Sequence, residues 1–249
     1  PNLTPALTLY GTVNGNPNST LSTTSPFTTT GLYFKGSAGN AGELYLTNYQ
    51  AGAPAQTIGT LDVNITGATP QIKINGNLDI NTSFVLTSGA VNMSNYSVRY
   101  LSNTTTPMLP ATQAAWTGYF VFSNPAAGLY WNMTNAPANT YRWLIGPAVS
   151  TGWRPVTIQT LATASNPSNL KIGYHGVIPG LAHSATDIVD DASNVRSNYI
   201  ATLSSYGNIG TPNITLEYQN SDFNTVPSSV GAVDLWYYDM PAGNSSTSI

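Results

Sequence analysis

The side chains able to do chemistry are few and scattered. Ten carboxylates stand at Glu43, Asp62, Asp79, Asp187, Asp190, Asp191, Glu217, Asp222, Asp234 and Asp239. Two histidines, His175 and His183, and no cysteine accompany them. Without cysteine there are no disulfides, thiolate nucleophiles or cysteine zinc sites. The densest acidic stretch is Asp187-Ile188-Val189-Asp190-Asp191. Calcium takes carboxylates and backbone carbonyls from a loop. Asp187, Asp190 and Asp191 are therefore the candidate metal ligands, although the Asp-x-Asp-x-Asp-Gly spacing of a strong calcium loop is missing. Solvated or helix-starting acids are the plainer reading, and no other cofactor is implied.

Catalysis finds little to work with. Ser184, His183 and Asp187 can be drawn as a triad, but no Gly-x-Ser-x-Gly elbow exposes a serine. Glycoside hydrolysis needs two carboxylates facing each other across a cleft. Asp62 and Asp79 lie on one ladder of short strands and share its outer face, where the expectation is solvated charges. The bases nearby are Lys73 and Arg99. The chain reads as a non-enzyme. Recognition is better supplied: with fifteen Tyr and five Trp, an exposed ring can stack on a sugar. The candidate ligand-binding aromatics are Trp153, Trp236, Tyr237 and Tyr238. Strand alternation exposes either Tyr237 alone or Trp236 and Tyr238 together. Core and cross-strand packing is the competing role for all of them.

The elements that hold these residues are all β. Gly and Pro total 39 residues and no long helical period occurs. Single helical turns fit only Ala111–Trp116 and Asp187–Asn194. Over 58–101, apolar residues alternate with polar ones: Leu61, Val63 and Ile65, then Ile72 and Ile74, Leu78 and Ile80, Phe84 and Leu86, Val91 and Met93. Such short, closely spaced strands suit the rungs of a β-solenoid or the hairpins of a sandwich. Their repeat is irregular, so no rung period is assigned. Residues 102–117 have linker chemistry. Beyond them the aromatics enter, with eight strand candidates from Tyr119–Phe122 to Ala232–Tyr238, the number expected of an antiparallel sandwich. The expected organisation is a solenoid-like or sandwich-like domain over 1–104 and an aromatic-rich antiparallel β-sandwich over 118–249. In the second, Arg154 is expected to clamp a loop among Tyr141, Trp143 and Trp153, with its guanidinium on an aromatic face.

Charge is the unusual quantity. Charged residues are 7% of the chain, against about 25% in an average domain. The net charge is −3, so no basic field attracts nucleic acid or an anionic membrane. No apolar run reaches the ~18 residues of a membrane-spanning helix. Residues 1–4 hold no leader pattern, and Pro1 reads as a mature start. Ten Asn-x-Ser/Thr sequons occur, as expected by chance in a chain so rich in Asn, Ser and Thr.

Two blocks carry a resemblance. One is Leu61-Asp62-Val63…Ile74-Asn75-Gly76-Asn77-Leu78-Asp79-Ile80-Asn81…Phe84-Val85-Leu86-Thr87-Ser88-Gly89-Ala90-Val91. The other is Tyr141-Arg142-Trp143-Leu144-Ile145-Gly146 followed by Trp153-Arg154-Pro155-Val156-Thr157-Ile158. In order and spacing they resemble the blocks of large, repetitive cell-surface and filament proteins of Bacteroidota-type bacteria. Trp143 and Leu144 stand where that pattern has Phe and Pro. The resemblance implies a secreted, extracellular bacterial surface protein with an adhesive or scaffolding role, commonly a type IX secretion substrate. It carries over no catalytic residue. No C-terminal sorting domain is visible, and Gly243–Ile249 reads as a linker or a truncation. The expected function is that of a structural or adhesin-like module, with copies of itself, other surface proteins or glycans as partners. The alternative is a carbohydrate-binding module of a larger secreted protein.

Overall fold

The computed structural model describes residues 6–18, 21, 31–37, 39–47, 55–102, 115–124, 126–132, 140–149, 152–159, 169–175, 200–206, 213–217, 236–239 and 245–248. All regular structure among them is β. In chain order the strands are β1 (Ala6–Tyr10), β2 (Val13–Asn14), β3 (Gly31–Gly36), β4 (Asn40–Tyr45), β5 (Gln56–Ile65), β6 (Gln71–Asn75), β7 (Leu78–Ser88), β8 (Ala90–Ser94), β9 (Val98–Tyr100) and β10 (Tyr119–Phe122). They continue with β11 (Leu129–Trp131), β12 (Thr140–Trp143), β13 (Ile145–Gly146), β14 (Val156–Gln159), β15 (Asn169–His175), β16 (Ile200–Tyr206), β17 (Asn213–Leu216), β18 (Trp236–Asp239) and β19 (Ser245–Ser248).

Successive strands of the first half alternate between two sheets. One runs β1-β3-β5-β7-β9-β11-β15-β16, the other β13-β10-β8-β6-β4-β2. Every pairing from β1 to β11 in the first sheet is parallel, as is every pairing in the second. Parallel register puts like on like. Ile58, Ile80, Tyr100, Trp131 and Leu170 form one column across five strands. Each is at most 1% exposed. Leu78, Val98, Leu129 and Ile172 form a second. In the other sheet Ile72, Val91, Phe120 and Ile145 do the same.

The steps between column neighbours are uneven. Leu32 to Leu61 is 29 residues, Leu61 to Phe84 23, Leu78 to Val98 20 and Val98 to Leu129 31. Strand spacing is kept while the connections vary, which is why no period is readable in the sequence.

The second half departs from the expected antiparallel sandwich. The junction anticipated at 102–117 falls between β9 and β10. Beyond it, β10 adds in parallel to β8 and β11 in parallel to β9. Antiparallel pairing begins only later, in the sheet β12-β14-β17, in β15 beside β11, and in the β15–β16 hairpin. Aromatic packing crosses the same junction. Phe84 meets Phe120 edge-on at 5.7 Å and Tyr100 at 5.4 Å. Tyr100 meets Trp131 at 5.9 Å, and Trp131 meets Tyr141 at 4.7 Å and Trp143 at 5.1 Å. Such pairs contribute about 0.5–1.5 kcal/mol each beyond their burial. Pro1–Ile178 with Tyr199–Glu217 form one compact unit. Pro179–Asn198 with Tyr218–Ile249 form another; its described part is the antiparallel β18–β19 hairpin.

Glycine is needed where neighbouring segments touch, at Gly39 in the turn between β3 and β4 and at Gly42 in the irregular stretch of β4. Gly42 has φ +85° and Gly39 φ +77°. A Cβ on Gly42 would run into the carbonyl oxygen of Val13, and one on Gly39 into that of Ala68. Gly11 also has positive φ, +82°, but faces open space. Gly42→Ala and Gly39→Ala should therefore each lose roughly 2 kcal/mol or more, the left-handed penalty plus the clash. Gly11→Ala should lose only the backbone part, about 1 kcal/mol. Denaturant unfolding of the three variants measures the difference.

Candidate functional site

Alternation turns every second residue of the ladder outward, and parallel register lines those residues up in rows. One row on the first sheet reads Thr57, Asp79, Arg99, Tyr130, Lys171. Arg99 grips Asp79 with two bonds, Nε to Oδ1 at 2.7 Å and Nη2 to Oδ2 at 2.5 Å. Asp79 is 5% exposed, so the expectation of a solvated charge there is corrected: the strands on either side and the guanidinium cover it. The Asp79 hydrogen bonds push the Arg99 pKa further up. Farther along, the Lys171 ammonium lies 5.8 Å from the centre of the Tyr130 ring. It donates at 3.5 Å to the Ala126 carbonyl.

Asp62 does not face Asp79. It stands opposite Tyr33 and Val85 and binds Lys35 at 2.5 Å. Asp62 and Asp79 are thus each held by a different cation and do not face each other as a glycosidase pair would. On the second sheet, Glu43 accepts from Lys73 Nζ at 2.9 Å, Tyr45 Oη at 3.0 Å and Asn75 Nδ2 at 3.3 Å. The Lys73 bond leads in holding the Glu43 carboxyl below its usual range, and the Glu43 bond raises the Tyr45 phenol.

Of the candidate binding residues, Trp153 is the one whose side chain is described. It lies in the connection between β13 and β14, half-buried. With Val149 it packs against Ala90, Tyr119 and Val121. The guanidinium above it belongs to Arg142, 4.5 Å from the ring centre. Arg142 also reaches Glu217 Oε1 at 3.3 Å. Arg154, the arginine expected to stack, is buried at 1% exposure. Its Nη1 donates to the Trp153 carbonyl at 2.9 Å, and its backbone N–H to Ile145 at 2.8 Å. It clamps the loop as anticipated, by hydrogen bonds. Tyr119 fixes the other side of that loop, donating to Val149 O at 2.9 Å; burial raises its pKa. The cluster therefore offers one aromatic edge flanked by a cation and a half-exposed carboxylate.

Trp236, Tyr237 and Tyr238 lie on β18, opposite Ser248, Thr247 and Ser246 of β19. Asp187, Asp190, Asp191, His183 and Ser184 lie outside the described residues, as does the helical turn at Asp187–Asn194. Among the described residues, no group of three His, Asp or Glu side chains is placed to hold a metal. The arrangements missed from the sequence all join distant positions: Arg142 to Glu217, Arg99 to Asp79, Lys73 to Glu43. The one available signal was phase. Asp79 and Arg99 occupy the same polar register of the alternation, each directly after an apolar residue of a core column.

Lys171 yields a measurable consequence. Burial lowers its pKa below the ordinary 10.5. Below 10.5 the unfolded chain then binds more protons, so this residue's contribution to stability rises with pH towards that value. Lys171→Met should be more stable than the parent protein at pH 7 by about 1 kcal/mol. The gap should narrow as pH approaches 10.5, as read by urea unfolding at several pH values.

No protein-family model, no curated protein and no solved structure matches the chain.

Proposed function

We propose that the chain is a structural or adhesive module of a bacterial cell surface, built over its first half as a short β-solenoid and able to serve in a fibre or sheath. The observation that carries the reading is the way its outward rows are occupied. Among the described residues, the ladder's cations bind carboxylates on neighbouring strands, Lys35 to Asp62, Lys73 to Glu43 and Arg99 to Asp79. Amides and hydroxyls do likewise, as Ser88 Oγ does to Asn64 Oδ1 at 2.9 Å. Polar side chains spent on neighbouring strands brace a scaffold. Catalysis needs the opposite, groups left poised for a substrate. The resemblance to repetitive surface and filament proteins of Bacteroidota-type bacteria agrees with it, as does the 7% charge. Antibody labelling of intact cells of the source organism should stain them, and deletion should reduce adhesion or alter the surface layer. Labelling that appears only after lysis would refute the surface role.

A second reading rests on Trp153. A ring held between Arg142 and the Ala90–Tyr119–Val121 cluster supports a carbohydrate-binding module. On a glycan array, with and without calcium, binding should fall at least tenfold in Trp153→Ala. No binding under either condition removes this reading.

A further inference from the structure

The apolar columns of the first sheet end abruptly at β1. Leu7 stands beside Leu32, which stands beside Leu61 and then Phe84. Leu9 begins the column of Phe34, Val63 and Leu86. Every later member is 0–2% exposed, whereas Leu7 is 36% exposed. Tyr10, at the end of the same strand, is 78% exposed. These two and Ile214 are the exposed large hydrophobics among the described residues, so most of that surface gathers on one five-residue edge.

Natural sheets protect such edges with charge, proline, bulges or covering loops. The segment Ala6-Leu7-Thr8-Leu9-Tyr10 has neither charge nor proline, and the first charged residue of the chain is Lys35. It pairs with β3 without a bulge, all five residues in register. Among the described residues no strand lies on its other side. What would fit there is an extended, uncharged strand with leucines two residues apart on one face. β1 itself is such a strand, and two copies meet with no charge opposing them.

We infer that β1 is a docking edge for a second copy of this chain. The two β1 strands pair antiparallel about a two-fold axis at Thr8. Alignment there pairs all five residues: Ala6 with Tyr10 of the other copy, Leu7 with Leu9, and Thr8 with Thr8. The two-fold axis keeps both copies' leucines on the same face, so the columns run on from one molecule into the next. An edge this short buries less than the ~1,200 Å² of a standard interface, so the dimer is weak and concentration-dependent. The inference rests on the scaffold reading above and specifies its partner.

The chain lacks cysteine, which makes cross-linking clean. Directly opposed residues in antiparallel strands have α-carbons about 4.5–5.5 Å apart, within disulfide reach. Under mild oxidation Thr8→Cys should give a covalent dimer, while the exposed control Asn213→Cys should not. Ala6→Cys and Tyr10→Cys should cross-link to each other when mixed and far less when alone. In sedimentation velocity the parent protein should shift from monomer to dimer as concentration rises. Leu7→Lys and Tyr10→Lys should remain monomeric; Tyr10 is exposed enough for that variant to keep its fold, checked by circular dichroism. A parent protein that is monomeric at every concentration overturns the inference and leaves the cell-labelling result untouched. Association that persists in both lysine variants also overturns it, placing assembly on another surface. An extended peptide of a different protein on β1 would show as a failure of Thr8→Cys to cross-link.

Discussion

The structure depends on parallel, in-register pairing. When strands run the same way and stay in step, each residue acquires neighbours of its own phase on both sides. Hydrophobic columns, polar rows and the edge at β1 all follow from that repetition. The same constraint explains the glycines. A chain that crosses between sheets within a few residues must pass close to the neighbouring crossing, and at Gly39 the Ala68 carbonyl of the β5–β6 crossing leaves no room for a side chain. Burial then adds to what register arranges, and the column containing Tyr100 and Trp131 merges with an aromatic cluster that joins early and late strands.

The β class and the alternation over 58–101 were legible, because period two is a local property of the backbone. Direction was not. A run such as Tyr119-Phe120-Val121-Phe122 alternates with nothing; all four residues are buried. Its parallel partner β8 lies some thirty residues earlier, and nothing nearby in the sequence records that. A count of short strands likewise fits a parallel ladder and an antiparallel sandwich equally well, so the aromatic half was read as the commoner architecture. The loop clamp by Arg154 was legible in part: proline at 155 and aromatics on either side pointed to a fixed loop. Which arginine would stack on Trp153 depended on β12 lying beside β14, a tertiary fact.

Low charge has a structural counterpart here. The ladder's ions are used in pairs that bridge strands, and many of the remaining outward positions are Asn, Thr and Ser. Exposed pairs of this kind stabilise by at most about 1 kcal/mol. Their larger effect is on register, because a one-residue slip would part every pair and turn the leucine columns outward. Arg99 on Asp79 is the strongest instance, since it is bidentate and its carboxylate is covered. Such a surface gives up long-range repulsion between molecules and keeps short-range order within one.

The uneven steps of 29, 23, 20 and 31 residues bear on how such a chain can change over evolutionary time. Residues gained or lost at a crossing leave every column and row intact, because neither sheet counts what lies between its strands. The same change inside a strand exchanges its inner and outer faces unless a bulge absorbs it, as between β5 and β7. The architecture therefore constrains length most within strands, where a change needs a bulge, and least at the crossings.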